Sequence, residues 1–318
     1  MGQNVTVIIA AYNASATIAR ALRSAFEQPD VAEIMVIDDA STDNTAALAR
    51  AADDGTGRLR VLVQAKNSGP SAARNRAIAE SVSPWIAILD ADDFFLPGRI
   101  AGLLGYAQDA DMVADDMWQV TEGREDGPRR NLLDNALTLP CMVSLRQFVL
   151  SNITLRGRSR GELGFIKPIM RRSFLEAHHL HYREEMRLGE DYELYARALA
   201  HGARLKLVPA QGYVSVVREN SLSGLHSEQD LQNLRDCNLS LMKLPLGKED
   251  RAALNGHYKS VDCRLQWRNL ILAVKAKDLV AALGCFAHPW PVPLYLAEQL
   301  GGQLYLRTIG RVFSGERK

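Results

Sequence analysis

The segment Trp85-Ile-Ala-Ile-Leu-Asp-Ala-Asp-Asp93 joins an apolar run to a cluster of acids. Its apolar half, 85–89, is typical of a strand that is covered on both faces of a sheet. Carboxylates at alternate positions, such as Asp90 and Asp92, can share a hard divalent cation, Mg2+ or Mn2+, which could hold the phosphates of a nucleotide. Acids after a strand can also simply cap the next helix. The rest of the chain has to decide between these interpretations.

The first 90 residues alternate between apolar strands and helical segments. Apolar runs at 5–11, 34–37, 59–63 and 85–89 are separated by stretches with helical spacing. With right-handed crossovers, this order predicts an α/β fold with an open, twisted, mostly parallel sheet and helices on both faces. Ligands of such sheets bind at the carboxyl ends of the strands. That edge would collect the polar residues that follow the strands: Tyr12, Asp38, Asp39, the segment 67–69, Asp90 and Asp92.

Several classes of protein are disfavoured. The first strand ends in Ala-Ala-Tyr-Asn rather than in Gly-x-Gly-x-x-Gly, so a dinucleotide fold is not expected. A formal net charge of +1 argues against a general nucleic-acid binder. Four cysteines without a Cys-x-x-Cys pair fit a reducing compartment. With no signal peptide and no uninterrupted apolar run of membrane-spanning length, a cytoplasmic location is predicted.

A second acidic motif, Gly189-Glu190-Asp191, precedes a segment whose apolar spacing is helical. Acids in the first turn of a helix are kept ionised by the free N–H groups and the helix dipole. An ionised and well-positioned carboxylate is a good general base. An ordinary N-terminal cap is the alternative.

The chain changes character after residue 227, where helical patterns take over and His288-Pro-Trp-Pro-Val-Pro293 forms a rigid break. From residue 264 onward, the sequence contains eight Lys and Arg residues but only three acids, together with aromatic and leucine residues. This composition suits a helix that lies on an anionic membrane surface. It suits equally a helical appendage that packs on the main domain or on a second subunit. The predicted organisation is a main domain, 1–227, with halves 1–110 and 111–227, and a helical region, 228–318.

Taken together, these motifs resemble the inverting family 2 glycosyltransferases, which have the GT-A fold. The resemblance covers roughly residues 5 to 225, and more loosely the whole chain is similar to bacterial exopolysaccharide glucosyltransferases of the succinoglycan type. Each motif alone is weak, but five in the family's order are specific. They are Val5-Thr-Val-Ile-Ile-Ala-Ala-Tyr-Asn13, Val36-Ile-Asp-Asp-Ala-Ser-Thr-Asp43, Asn67-Ser-Gly-Pro-Ser-Ala-Ala-Arg-Asn75, Leu89-Asp-Ala-Asp-Asp93 and Gly189-Glu-Asp191.

The resemblance implies a UDP-sugar donor and assigns a role to each matching position. Asp39 would accept a hydrogen bond from the uracil N–H. Asp90 and Asp92 would form the family's Asp-x-Asp motif, in which a divalent cation offsets the charge on the departing diphosphate. Asp92 is the expected metal ligand, with Asp90 and His226 as further candidates, although His226 also fits a simple loop histidine. The other nucleotide-binding positions would be Ala10, Tyr12, Asn67 and Arg74.

By the same resemblance, Asp191 would take the proton from the acceptor hydroxyl, which attacks the anomeric carbon and inverts it. The expected reaction moves one hexose, glucose, to a lipid-linked polysaccharide repeat unit at the cytoplasmic face of a membrane. Processive members of the family carry Gln-x-x-Arg-Trp and membrane helices. This chain has Gln266-Trp-Arg268 and no apolar span, which favours a single addition.

Two other functions remain possible from the sequence. A sugar nucleotidyltransferase shares a similar sheet and acidic metal site, but usually opens with a Gly-rich basic loop that the run Ala11-Tyr-Asn-Ala14 lacks. A non-catalytic sugar-nucleotide or carbohydrate-binding scaffold would have no need of a base, so the presence of Asp191 beside Asp92 speaks against it.

Overall fold

The computed structural model describes residues 4–133, 137–153, 162–217 and 226–314, with side chains as far as residue 305. Its first part alternates strands and helices, as the apolar pattern predicts. The elements are β1 (Val5–Ala11), α1 (Ile18–Phe26), β2 (Val31–Asp38), α2 (Thr45–Ala51), β3 (Leu59–Val63), α3 (Pro70–Glu80) and β4 (Trp85–Ile88).

The central part, from residue 94 to residue 217, is built from shorter elements. A 3-10 turn at Leu163–Phe165 precedes the strand that returns to the main sheet. The elements are β5 (Phe94–Phe95), α4 (Arg99–Leu104), β6 (Met112–Asp115), β7 (Trp118–Thr121), β8 (Arg130–Asn131), β9 (Cys141–Val143), α5 (Leu145–Ser151), β10 (Ile169–Arg171), α6 (Arg172–Ala177), α7 (Glu190–Ala200), β11 (Leu205–Val208) and β12 (Tyr213–Val217).

The described strands form a large sheet in the order β3-β2-β1-β4-β10-β6-β11-β9 and a small one in the order β5-β12-β7-β8. In the large sheet β3, β2, β1 and β4 run parallel, as do β6 and β11. Strand β10 is antiparallel to both of its neighbours, and β9 is antiparallel to β11. The mostly parallel α/β sheet predicted from the sequence is therefore confirmed.

Successive residues of β1 point to opposite faces of the sheet, and both faces are buried. Ile8 belongs to one apolar core, whereas Val7 and Ile9 belong to the other. This arrangement explains why the strand is apolar without interruption, because a strand covered on both faces has no solvent side. Helices therefore pack on both faces, and polar residues are left to the ends of the strands.

The C-terminal region consists of α8 (Glu228–Leu241), α9 (Lys248–Ala276), α10 (Leu279–Gly284) and α11 (Val292–Ser314). Leu234 of α8 and Leu254 of α9 lie in the same core as Ile8 of β1. The first half of this region thus packs on the main domain, which is one of the arrangements left open by the sequence. The domain boundary at residue 227 stays a prediction.

A buried polar cluster joins these helices to α7. The hydroxyl of Tyr192 donates to Oδ1 of Asn238 at 2.9 Å, and Nδ1 of His257 lies 3.0 Å from the same oxygen. Burial, with a smaller effect of Arg264, lowers the pKa of His257 to about 3, so the ring is neutral. Because the amide oxygen of Asn238 can only accept, Nδ1 carries the proton. Helices α8 and α9 therefore support α7 directly.

Candidate active site

Asp39 lies just after β2 and shapes the loop that leads into α3. Its Oδ1 accepts hydrogen bonds from the backbone N–H of Ser68 at 2.8 Å and from the amide of Gln64 at 2.5 Å. Its Oδ2 accepts from the backbone N–H of Gly69 at 2.7 Å. Gly69 has a φ of +88°, which favours glycine at this turn. A carboxylate offers about four acceptor sites, and three of them are used by these donors in the buried Asp39. The bond to a uracil N–H stays a prediction.

The other nucleotide positions lie at the same edge of the sheet. Ala11 pairs with Asp38 at the ends of β1 and β2, which places Tyr12 and Asp39 after neighbouring strands. The side chain of Tyr12 is 51% exposed, Asn67 is exposed, and Ala10 is half-buried. An exposed aromatic ring beside buried polar groups can stack on a base. Their role in binding the nucleotide stays a prediction.

Arg74, Asp90, Lys167 and Asp191 form a closed ring of ion pairs. The guanidinium of Arg74 contacts Oδ1 of Asp90 at 2.8 Å and Oδ1 of Asp191 at 3.3 Å. Nζ of Lys167 lies 2.9 Å from Oδ2 of Asp90 and 2.7 Å from Oδ2 of Asp191. The two carboxylates, one after β4 and one on the first turn of α7, are thus held together by two buried cations.

Glu190 adds a fifth charge to this ring, since its carboxylate lies 2.8 Å from Nη1 of Arg74. Burial raises the pKa of Glu190, and the neighbouring Asp191 raises it further. Burial alone would also raise the pKa of Asp90, but Lys167 and Arg74 outweigh it and hold that pKa at about 2. Asp90 is therefore ionised at neutral pH, and Glu190 takes up a proton more readily than an ordinary glutamate.

Lys167 stays charged in spite of its burial. Desolvation would lower its pKa, but the charges of Asp191 and Asp90 reverse the effect and raise it above the usual value. A buried lysine is rare unless it is paired, and here both partners belong to predicted site motifs. Lys167 is a site residue that the sequence analysis missed. The available signal was a lysine inside the apolar run Phe165-Ile-Lys-Pro-Ile-Met170, directly before β10.

The third acid of the cluster, Asp93, has a different environment. The hydroxyl of Tyr213 donates to its Oδ2 at 2.9 Å, and the N–H of Val216 donates to its Oδ1 at 2.8 Å. Burial, with the charges of Asp90 and Asp92, raises the pKa of Asp93 well above the usual value. Since the same Tyr213 hydroxyl accepts from the N–H of Asp90 at 3.2 Å, Asp93 ties the acidic loop to β12. Asp93 therefore stabilises the position of the acidic loop.

The fit of a divalent cation depends on Asp92 and Asp90. Across residues 4–133, 137–153, 162–217 and 226–314, no group of three His, Cys, Asp or Glu side chains could hold a metal ion by itself. Mg2+ is usually held by one or two carboxylates together with the phosphates of a substrate, and the half-buried Asp92 with Asp90 fits that pattern. Both oxygens of Asp90 already accept from cations. The role of Asp92 as the metal ligand stays a prediction. His226 is half-buried, and its metal role stays a prediction.

Arg20 of α1 fixes the backbone of the acidic loop. Its Nη2 donates to the carbonyl oxygen of Asp92 at 2.6 Å, and its Nη1 pairs with Glu125 at 2.9 Å. The guanidinium also lies 5.2 Å from the centre of the Phe94 ring. The position of Asp92 therefore depends on a helix and a loop that lie far from it in the sequence.

Comparisons with known proteins agree with this geometry. The family model described as glycosyl transferase family 2 matches residues 6–175. The chain is 46% identical over 293 residues to the succinoglycan biosynthesis protein ExoU of Rhizobium meliloti (strain 1021), which spans 91% of this chain and 85% of that protein. It is 39% identical over 224 residues to ExoO of the same organism, which spans 69% of this chain and 62% of that protein.

Two solved structures share the fold. S. aureus TarS 1-349 in complex with UDP-GlcNAc superposes with a TM-score of 0.62 at 18% identity, over 88% of this chain and 89% of that one. The mannosyltransferase PcManGT from Pyrobaculum calidifontis, in complex with GDP-Man and Mn2+, gives a TM-score of 0.59 at 19% identity, over 93% and 84%. The chain belongs to glycosyl transferase family 2 and is a hexosyltransferase with the GT-A fold.

Proposed function

We propose that this hexosyltransferase moves one hexose, glucose, from a UDP-sugar to a polysaccharide repeat unit, with inversion of the anomeric carbon. The observation that carries the proposal is the ring of Arg74, Asp90, Lys167 and Asp191. It joins the acidic motif expected to hold the donor to the carboxylate expected to activate the acceptor. The similarity to ExoU supports an exopolysaccharide of the succinoglycan type as the product.

In the proposed reaction Asp191 is the general base. The acceptor oxygen forms a bond to the anomeric carbon, and the bond from that carbon to the β-phosphate oxygen breaks. The electron pair leaves with UDP, and the hydroxyl proton passes to Asp191. Arg74 and Lys167 orient the carboxylate, because each of its oxygens is bonded to one of these cations. No covalent sugar intermediate is required.

Asp92, assisted by Asp90, would hold the divalent cation. When bound, such a cation offsets the charge that develops on the departing diphosphate. A Mn2+ complex of a protein with the same fold supports this assignment. Arg74 and Lys167, which both pair with the carboxylate of Asp90, would add fixed positive charge next to it.

UDP is the proposed nucleotide, supported by the TarS complexes with UDP-GlcNAc and UDP, although PcManGT was solved with GDP-Man. The acceptor would be lipid-linked, so that the enzyme works at the cytoplasmic face of a membrane as a peripheral protein. The sequence Gln266-Trp-Arg268, which favours a single addition, fits an acceptor that grows one sugar at a time on a lipid carrier.

A panel of UDP-sugars tests the proposed function without knowledge of the acceptor. Slow release of UDP from one donor, supported by Mg2+ or Mn2+ and abolished by EDTA, is expected. Asp92→Ala should lower the metal-dependent activity by more than the roughly 10- to 100-fold that loss of an outer-shell partner of a metal ligand costs. Asp126→Ala, at an exposed position, should match the wild type.

Calorimetry with UDP separates the possible failures of this panel. If UDP binds but no donor is hydrolysed, with or without a crude lipid-linked acceptor, the binding-scaffold function replaces the proposed one. Equal metal-dependent binding of UDP by the wild type and by Asp92→Ala would place the metal site elsewhere.

A further inference from the structure

The short helix α10 exposes all three of its large apolar side chains. Leu279 is 77% exposed, Val280 is 83% exposed, and Leu283 is 71% exposed. At about 100° per residue these three lie within an arc of about 100° on one side of the helix. No residue of α10 is buried. Large apolar side chains clustered in this way mark a contact surface rather than an ordinary solvent face.

The opposite side of α10 is anchored to its neighbours. Ala282 packs against a small apolar core that is built from α9, α11 and the turn between α10 and α11. The core members are Cys263, Leu270, Cys285, Val292 and Leu296. The helix is therefore fixed in place, and its exposed side is presented outward by a packed scaffold.

The residues that flank α10 have the character of a membrane interface. Val274 at the end of α9 is 61% exposed, and Trp290 before α11 is 67% exposed. Lys275 and Lys277 are exposed between Val274 and α10. Tryptophan is enriched at the headgroup level of bilayers, and lysine is attracted to anionic lipids. Here we call Val274, Lys275, Lys277, Leu279, Val280, Leu283 and Trp290 the elbow surface.

We propose that the elbow surface docks on an anionic phospholipid bilayer. This proposal rests on the proposed function in one respect, since a lipid-linked acceptor would require the enzyme to work at a bilayer. The sequence predicts a membrane-surface helix somewhere after residue 264. Helix α8 and the first half of α9 pack in the main core, which narrows the place of that contact. The membrane contact is thereby confined to the elbow and to α11.

Charge favours a bilayer over a second copy of this chain. The segment from residue 264 carries eight Lys and Arg residues against three acids. Four of the basic residues lie outside the described side chains: Arg307, Arg311, Arg317 and Lys318. A two-fold interface would bring the same basic segment of both copies together, and like charges oppose such contact. An anionic surface complements it. No described helix is long and apolar enough to cross a membrane.

Vesicle sedimentation with the full chain tests the proposal. The wild type should sediment with phosphatidylglycerol-containing vesicles and should be released by high salt, because the attraction is partly electrostatic. Neutral phosphatidylcholine vesicles should bind it at least about tenfold more weakly. The variant with Leu279→Ser, Val280→Ser and Leu283→Ser should lose binding, as should the variant with Lys275→Glu and Lys277→Glu.

Matched controls keep the test specific. Val82→Ser removes a valine that is 85% exposed on the main domain and should leave vesicle binding unchanged. Lys66→Glu, at an exposed position away from the elbow, is the control for charge. All the altered side chains are exposed, so the thermal unfolding midpoint should stay within a few degrees of the wild type.

Three results would overturn the proposal: no sedimentation of the wild type with any vesicle, equal sedimentation of the triple serine variant, or a wild-type dimer in light scattering that the triple variant dissociates. The last would assign the elbow surface to a second copy. UDP release by the triple variant should equal that of the wild type, so a failed donor panel and a failed sedimentation test are distinguishable.

Discussion

Asp191→Asn is expected to abolish hexose transfer while leaving UDP binding near normal. Asparagine keeps the size of the side chain and one acceptor oxygen for Lys167, but it cannot take up the proton of the acceptor hydroxyl. Loss of a general base typically costs about 10²- to 10⁴-fold in rate. The fall should appear in kcat, measured with the donor identified from the panel, while calorimetry reports the unchanged affinity for UDP.

Glu190→Gln is the matched control for this variant. Glu190 lies in the same first turn of α7 and pairs with Arg74 at 2.8 Å, so it is equally close to the ring of charges. The ion pairs of Lys167 at this site go to Asp90 and Asp191. Glu190→Gln should keep most of the kcat. If it abolishes transfer and Asp191→Asn does not, the base is Glu190, and the assignment of Asp191 is wrong.

Asp115→Ala should be the most destabilising of the substitutions considered. Asp115 and Arg99 are both fully buried and lie 2.7 Å apart at their closest atoms. The second oxygen of Asp115 accepts from the backbone N–H groups of Gln211, Gly212 and Tyr213. Removing one partner of a buried pair leaves the other charge uncompensated, at a cost of about 3–5 kcal/mol in the free energy of unfolding. Urea denaturation followed by circular dichroism measures this loss.

Two controls separate this effect from a general cost of removing an acid. Asp109→Ala breaks an exposed pair with Lys206 and should leave the free energy of unfolding close to that of the wild type. The double variant Arg99→Met with Asp115→Leu leaves no unpaired charge and should recover part of the loss. Equal destabilisation by Asp109→Ala and Asp115→Ala would show that the uncompensated charge of Arg99 is not the cause of the loss.

The Arg99–Asp115 pair also connects stability to the site. Nη2 of Arg99 donates to the carbonyl oxygen of Lys167 at 2.6 Å, and Asp115 holds the backbone of Tyr213. Lys167 bridges the two site carboxylates, and Tyr213 bonds to Asp93 and to the backbone of Asp90. One buried pair thus positions groups on both sides of the ring.

The order of strands and helices in the first 90 residues was predictable because apolar periodicity is a local property. The same holds for the position of Asp90 at the end of β4 and of Asp191 on the first turn of α7. Parallel strands then bring their carboxyl ends to one edge, so proximity of the motifs follows from the fold class. Arg74 and Asp191 are 117 positions apart in the sequence and are in contact in the fold.

The parts that were not predicted depend on pairing between distant segments. Strands β5 and β8 have two residues each, and β9 has three, which is too short for a recognisable period. Lys167 is informative only once Asp90 and Asp191 are seen beside it, since isolated lysines are usually solvated. Asp93 likewise looks equivalent to Asp92 in the sequence, and its burial and its contacts with Tyr213 and Val216 of β12 set it apart.

The stereochemistry of donor hydrolysis tests whether the enzyme uses a single displacement assisted by Asp191. Proton NMR spectra recorded soon after the wild type is mixed with UDP-α-glucose and Mn2+ would resolve the two anomers of the glucose released. We expect β-glucose to appear first, before mutarotation mixes the anomers, and Asp191→Asn to form neither. First appearance of α-glucose would contradict a single inverting displacement.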